Sequence, residues 1–493
     1  MGKDVGQAQY SREQRQQFRR KVRRGLDAFE QMLAQRHFDS ERPLTGLEIE
    51  LNLVNEQGRP SFHNAEVLAE IADPDYQTEL ARFNIELNVA PRPLPGDSAL
   101  ELEELLRGSL NQADQSAGRV GSQIAMVGIL PTLRVSDFDG DWISANTRYT
   151  ALNDSIFVAR GEDIELDIEG PDGERLQACA DSIAPESACT SVQLHLQVSP
   201  ADFAPHWNAA QALSGPQVAL AANSPFFDGR RLHAETRIEL FRQATDTRPV
   251  ELKNQGVRPR VFFGERWVTS IFDLFEENVR WFPALLAEVD EEDPLDVLAA
   301  GGTPSLAELC LHNGTIYRWN RPIYAVVREQ PHLRVENRVL PAGPTILDTM
   351  ANAAFYYGAV HSLVESDRPV WSRLSFAAAE DNFHQCAELG LDAEVYWPSF
   401  GELGVDELVL RHLLPLAQQG LQAWGVSAGV IDRYLEVIEG RCKTGVNGAV
   451  WQTRTVAALE EQGRSREDAL AEMMARYLEH MHTNEPVHSW PLP

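Results

Sequence analysis

Lysine is nearly missing from this sequence: Lys3, Lys21, Lys253 and Lys443 are the only four in 493 residues. The 44 basic side chains are otherwise arginine, and 73 acidic ones outnumber them, for a formal net charge of -29. Binding a polyanion needs a basic surface that can displace its counterions, so nucleic acid is not an expected partner. Cysteine is also scarce. Cys179, Cys189, Cys310, Cys386 and Cys442 are odd in number, scattered and without CxxC spacing, which argues against structural zinc and a disulfide framework and fits a reducing compartment. No apolar run approaches the roughly 18 residues that cross a bilayer, and no apolar signal segment follows the basic N-terminal residues; the expectation is a cytoplasmic protein without membrane partners. Neither GxxxxGK[ST] nor GxGxxG occurs, so any bound phosphate must be held by something other than a glycine cradle.

What is present is ordinary for a globular chain, with 43% hydrophobic and 24% charged residues and enough length for a large core. Residues 11–38 carry Phe18, Val22, Leu26, Phe29 and Leu33 at helical spacing, which predicts an amphipathic helix whose basic cluster, Arg19, Arg20, Lys21, Arg23 and Arg24, forms a solvated edge. From Leu44 onward short strand-like and helix-like segments alternate irregularly, which predicts an α+β fold with a mainly antiparallel sheet. Gly170-Pro171-Asp172-Gly173 reads as a turn between two strands, and the acidic run from Glu288 to Pro304 as an exposed connection. Beyond about Asp367 the pattern is helical, as in Glu407 to Trp424, Ala428 to Glu439 and Arg466 to Met481.

Four segments share one layout when each is written as a strand and its side chains are sorted by face. Leu47 to Leu53 puts Glu48, Glu50 and Asn52 opposite its apolar face, and Ile85 to Val89 does the same with Glu86 and Asn88. Val192 to Val198 presents Gln193, His195 and Gln197, while Leu333 to Val339 presents Arg334, Glu336 and Arg338. Alternation alone describes any half-exposed strand, but glutamate is depleted from strands and recurs here in mid-strand. If the four lie in one sheet with these faces together, the crowded carboxylates need a cation. Hard oxygen donors with one imidazole suit Mg²⁺ or Mn²⁺, and two or three such ions flanked by arginines such as Arg338 would hold a nucleoside triphosphate.

These segments resemble the type 2 glutamate-cysteine ligases, a carboxylate-amine ligase family. Thr45 to Glu50 is similar to the family's first metal-binding strand and Ile85 to Leu87 to the next. Cys189 to His195 resembles a strand that usually carries two histidines; Gln193 stands at the first, so only His195 carries over, which leaves the metal count open. Ala222 to Phe226 followed by Thr236 to Leu240 resembles a substrate-side region containing an arginine, here Arg237, and Val335 to Arg338 a late strand with a metal-binding glutamate and a phosphate-facing arginine. Thr345 to Asp348, Thr444-Gly445 and Thr483 to Pro486 continue the likeness, so that it spans Thr45 to Pro486.

The resemblance implies a glutamine-synthetase-like curved sheet with a metal-lined concave face flanked by helices. The residue patterns along the chain divide it into an N-terminal helix over 1–40, a catalytic α+β domain over 41–375 and a C-terminal helical layer over 376–493. The implied reaction is ATP-dependent amide formation from a carboxylate and an amine through an acyl phosphate. Glu48, Glu50, Glu86, His195 and Glu336 would hold Mg²⁺ or Mn²⁺, Arg338 the transferring phosphoryl group and Arg237 the substrate carboxylate. Amino acids and amines are the expected small-molecule partners, and ATP the co-substrate. A phosphotransferase on the same scaffold and a non-catalytic nucleotide- or metabolite-binding regulator remain as alternatives.

Overall fold

The computed structural model describes residues 5–35, 38–40 and 44–492. Seven strands form one antiparallel sheet: β1 (Thr45–Val54), β2 (Tyr76–Thr78), β3 (Asn84–Arg92), β4 (Gln123–Ala125), β5 (Ser191–Val198), β6 (Asn320–Val327) and β7 (Gln330–Pro341). Their order is β6-β7-β5-β1-β3-β2, with β4 continuing beside the end of β1 that β5 leaves unpaired. The four segments singled out by alternation are therefore β1, β3, β5 and β7, adjacent in space although they come from distant parts of the chain.

Strand register decides which side chains meet, because directly opposed residues share a face. Glu48 lies opposite Gln193 on one side and Asn88 on the other, Glu50 opposite Glu86, and Glu336 between His195 and Arg321. All the predicted polar positions thus emerge on one side of the sheet. The other side carries Leu47, Ile49, Leu51, Val192, Leu194, Leu196, Val335 and Val339, all buried, as burial of a β-branched and leucine-rich face requires.

Helices cover that apolar face. The helices of the chain include α1 (Arg12–Gln35), α2 (Phe203–Ala221), α3 (Thr236–Ala244) and α4 (Ile346–Val364), followed by the C-terminal α5 (Phe376–Leu389), α6 (Leu414–Ala423), α7 (Ala428–Thr444), α8 (Gly448–Glu461) and α9 (Arg466–Thr483). Helix α2 packs on β7, and α4 runs between α2, α6 and α7. Tyr357 on α4 reaches through to the backbone, its hydroxyl 3.1 Å from the His195 carbonyl and 3.3 Å from that of Gly46. One hydrophobic core runs from Val5 to Trp490. The hairpin predicted at Gly170 to Gly173 joins strands Ile164–Glu169 and Arg175–Ala180.

The segment from Glu288 to Pro304 departs from its expectation as an exposed connection. Pro294–Ala299 is a short helix capped by Asp293 and seated against α1, while Glu291, Asp296 and residues 299–302 stay exposed. Lys21 Nζ donates to the carbonyls of Asp290 and Glu292 at 2.5 and 2.6 Å, and Arg24 makes a two-pronged pair with Asp293. Part of the basic stripe of α1 is thus neutralised by an acidic run some 270 residues later, a match that neither segment shows by itself. The predicted helix ends at Gln35; Arg36 and His37 lie outside the described residues.

Candidate active site

The polar face of the sheet is the floor of a cleft of about 460 Å³ lined by Glu48, Glu50, Glu79, Glu86, Gln193 and Arg338 among others. Two triads of acidic and imidazole ligands lie on it. Glu48, His195 and Glu336 can bring one donor atom each within 4.8 Å of one another, and so can Glu50, Glu79 and Glu86. The structure therefore gathers all five sequence-predicted ligand candidates on one face, and it adds Glu79, which follows the last residue of the short edge strand β2.

The triads differ in how their charge is met. In the first, His195 Nε2 is 3.1 Å from Glu48 Oε1 and 3.9 Å from Glu336 Oε1. Gly46 sits opposite His195, and a Cβ there would stand 3.3 Å from the histidine Cβ, so the missing side chain is what lets the imidazole lie across β1 toward Glu48. Burial works against ionisation of Glu48, but the His195 hydrogen bond and charge outweigh it and hold the carboxyl at about 2. Glu336 accepts from Arg321 through both oxygens, at 2.6 and 2.9 Å, with Arg338 3.4 Å away. Burial raises its pKa, yet these arginines drive it well below the usual carboxylate range.

Among the described residues no such cation sits within the second triad, and its pKa values move the other way. Burial together with Glu50 pushes Glu79 to about 7, and burial together with Glu48 and Glu79 pushes Glu86 well above the ordinary value. Glu50 is also raised by burial, although Arg338 opposes the shift. Carboxyls arranged this way hold protons unless a metal ion takes their place. Oxygen donors in such number, with an imidazole in the neighbouring triad, have the chemistry of a hard divalent cation site, so the residues present fit such an ion. Arg321 already occupies Glu336, and an ion at the first triad would share that carboxylate with it.

Gln193, where the resemblance would place a second histidine, connects the site's charges. Its Nε2 donates to Glu50 Oε1 at 2.8 Å, and its Oε1 accepts from Arg338 Nη1. Glu50 Oε2 accepts from the Ser191 amide at 2.6 Å. Arg338 is consequently fixed between Gln193 and Glu336 at the cleft wall, where acidic neighbours keep it protonated despite its burial.

Arg237 opens helix α3 and is 3% exposed. Its Nε donates to Glu235 Oε1 at 2.9 Å, and its Nη atoms donate to the carbonyls of Arg338 and Val339. Glu235 is braced in turn by the Asn223 amide at 2.8 Å, and Asn223 Nδ2 reaches the Ala342 carbonyl and Tyr477. The Asn223 and Arg237 segments are thus a brace between the end of β7, α3 and the C-terminal helices. Arg237 also lines the cleft and retains N–H groups beyond those spent on the brace.

Arg321 and Glu79 went unforeseen, and so did Glu186, a cleft residue on the turn Ala184–Ala188. Arg321 follows Asn320 and precedes an unbroken apolar run in β6, so the strand showed no polar-apolar alternation that would single it out. Glu79 and Glu186 stand outside any periodic element and gave no such signal either.

A curved antiparallel sheet with glutamates and arginines across its concave face, backed by helices, is that of the ATP-dependent carboxylate-amine ligases, which use a divalent metal. Residues 44–475 match the model for glutamate-cysteine ligase family 2, and the chain belongs to that family. Among solved structures, the glutamate-cysteine ligase of Francisella tularensis in complex with AMP is similar at 13% identity and a TM-score of 0.55, over 93% of this chain and 91% of that one. A bifunctional glutathione synthetase from Pasteurella multocida aligns at 12% identity and a TM-score of 0.49, over 93% of this chain and 55% of that one. The complex of the prokaryotic ubiquitin-like protein Pup with its ligase PafA aligns at 10% identity and 0.35, over 87% and 71%. No curated protein sequence matches this one. Among the described residues no helix is long and apolar enough to cross a membrane.

Proposed function

We propose that the protein is a glutamate-cysteine ligase-like enzyme that activates the carboxylate of glutamate with ATP and joins it to an amine. The observation that carries this reading is the pair of acidic triads, Glu48-His195-Glu336 and Glu50-Glu79-Glu86, on one floor beside Arg338. In this reading the triads hold Mg²⁺ or Mn²⁺, which supplies charge neutralisation for the phosphates of ATP. Arg338, clamped by Gln193 and Glu336, faces the transferring phosphoryl group and stabilises the charge that develops there. Arg237 gives its remaining N–H groups to the substrate carboxylate.

The acid's carboxylate oxygen attacks the γ-phosphorus, ADP leaves, and the amine nitrogen displaces phosphate from the acyl phosphate to give the amide. Positioning and charge neutralisation account for most of the acceleration. The test is ADP release with Mg²⁺ and glutamate across a panel of amino acids and amines. Amide formed in step with ADP is the expected result; ADP without amide would mean a phosphotransferase, and bound Mg-ATP without turnover a regulator. Glu48→Gln and Glu336→Gln should each abolish ADP formation with an unchanged circular dichroism spectrum.

A further inference from the structure

Beyond the triads, the cleft is bounded by the turn Ala184–Ala188 and helix α3, which pack together. Glu186 projects from this turn and lines the cleft. Its Oε2 is buried without a hydrogen-bond partner, and among the described residues its carboxyl makes no ion pair. The other carboxylates of the floor are answered by neighbours: Glu336 by Arg321, Glu48 by His195 and Glu50 by Gln193 and Ser191. A buried carboxyl oxygen with no donor is costly to keep, and a fold retains such an atom where a ligand completes it.

The surroundings describe that ligand. Tyr149, Phe241, Tyr317 and Trp319 line the same cleft, and the last three form an edge-packed wall, with Phe241 centred 5.2 Å from Tyr317 and 5.9 Å from Trp319. Such a wall limits water and suits the apolar body of a small molecule or the face presented to a cation. Glu79 and Glu50 also face this carboxyl: burial first and Glu79 next push Glu186 to about 8, against the opposing charges of Arg338 and Arg148. A cation arriving there supplies the missing hydrogen bond and relieves the crowding of like charge.

We propose that Glu186 is the subsite for the amino group of the amine substrate, accepting a charge-assisted hydrogen bond from its ammonium beside the aromatic wall and then taking one of its protons, so that the freed nitrogen lone pair can attack the acyl phosphate. The inference rests on the ligase reading and adds to it a side of entry: the amine arrives as a cation from the Ala184–Ala188 side, while ATP occupies the metal and arginine side. Specificity at this subsite is for primary ammonium groups, whether from an amino acid or a simple amine.

The test uses the intact protein with ATP, Mg²⁺ and glutamate, and two kinds of nucleophile. Cysteine and 2-phenylethylamine are cationic at neutral pH; hydroxylamine is largely uncharged there and traps an acyl phosphate as the hydroxamate. The readout is the ratio of amide to hydroxamate, compared between wild type and Glu186→Gln, with Glu186→Asp as the charge-retaining control. Loss of a charge-assisted hydrogen bond predicts that the ratio falls roughly tenfold or more in Glu186→Gln, through a raised KM for the cationic amines, and recovers partly in Glu186→Asp. A generally damaged site lowers both products together and leaves the ratio intact, and an intact ratio overturns the proposal. If wild type makes neither hydroxamate nor amide, the ligase reading itself fails.

Discussion

Glu50 and Glu86 stand directly opposite each other on neighbouring antiparallel strands, in the one kind of cross-strand pair that destabilises a sheet when both partners are charged. Glu79 joins them from just past the end of the neighbouring strand β2. The raised pKa values of this triad set its behaviour without metal. A carboxyl whose folded pKa is above its unfolded value favours folding below the unfolded pKa and loses that contribution as pH rises through the folded one. For Glu79 the window runs from the usual carboxylate value of 4.5 to about 7. The metal-free protein should therefore lose stability as pH rises through this window, and Mg²⁺ should restore it. Thermal melts at several pH values, with and without Mg²⁺, check this.

Replacing Glu79 by Gln removes one of the crowded acids while keeping its size. The metal-free protein should gain on the order of 1–2 kcal/mol near neutral pH, and its melting temperature should become less dependent on pH between 4.5 and 7. Mg²⁺ should stabilise the variant less than wild type. Differential scanning calorimetry with and without Mg²⁺ measures all three effects.

Metal binding should also displace protons, since the second triad holds them when no cation is present. Calorimetric Mg²⁺ titrations in two buffers of different ionisation enthalpy should show proton release near pH 6.5, with affinity rising toward pH 8. A titration with no buffer dependence would mean that these carboxyls are already ionised.

Gln193 ties Glu50 to Arg338 through both ends of its amide. Gln193→Leu keeps the volume but leaves the Glu50 carboxylate acceptor and the Arg338 guanidinium donor without their partner, which predicts a loss of about 2 kcal/mol in stability and at least tenfold in kcat for ADP formation. Denaturant unfolding and steady-state kinetics report the two separately. Equal activity in Gln193→Leu would mean that Arg338 is positioned by Glu336 alone.

A site far from the cleft supplies an independent check on the fold. His312 is buried, its Nε2 2.9 Å from the Asn278 carbonyl, and burial lowers its pKa to about 4. The unfolded chain binds a proton that the folded one refuses between pH 6.5 and 4, so stability falls as pH drops through that window. His312→Gln, which retains a donor at the same reach, should lessen that fall by up to about 3 kcal/mol at pH 4.

Much of the site was readable in sequence because a strand exposes every second side chain. Glu48, Glu50, Glu86, His195, Glu336 and Arg338 each stood on the polar face of an alternating segment, and register then brought them together. What alternation does not give is partnership. Nothing along the chain pairs Arg321 with Glu336, because that contact arises from the β6-β7 hairpin register. Glu79 beyond a three-residue strand and Glu186 on a single turn lack the length that makes a period visible. The acidic run after Glu288 looked exposed because its partner, the basic edge of α1, lies so far away in sequence.

The account turns on divalent ions held between the clustered acids. Mn²⁺ titration followed by electron paramagnetic resonance, in the presence of a non-hydrolysable ATP analogue, measures this directly. At least two ions per chain should bind to wild type, with affinity lowered tenfold or more in Glu48→Gln and in Glu86→Gln. Wild-type protein that binds no Mn²⁺, or variants that bind it as wild type does, would contradict the account.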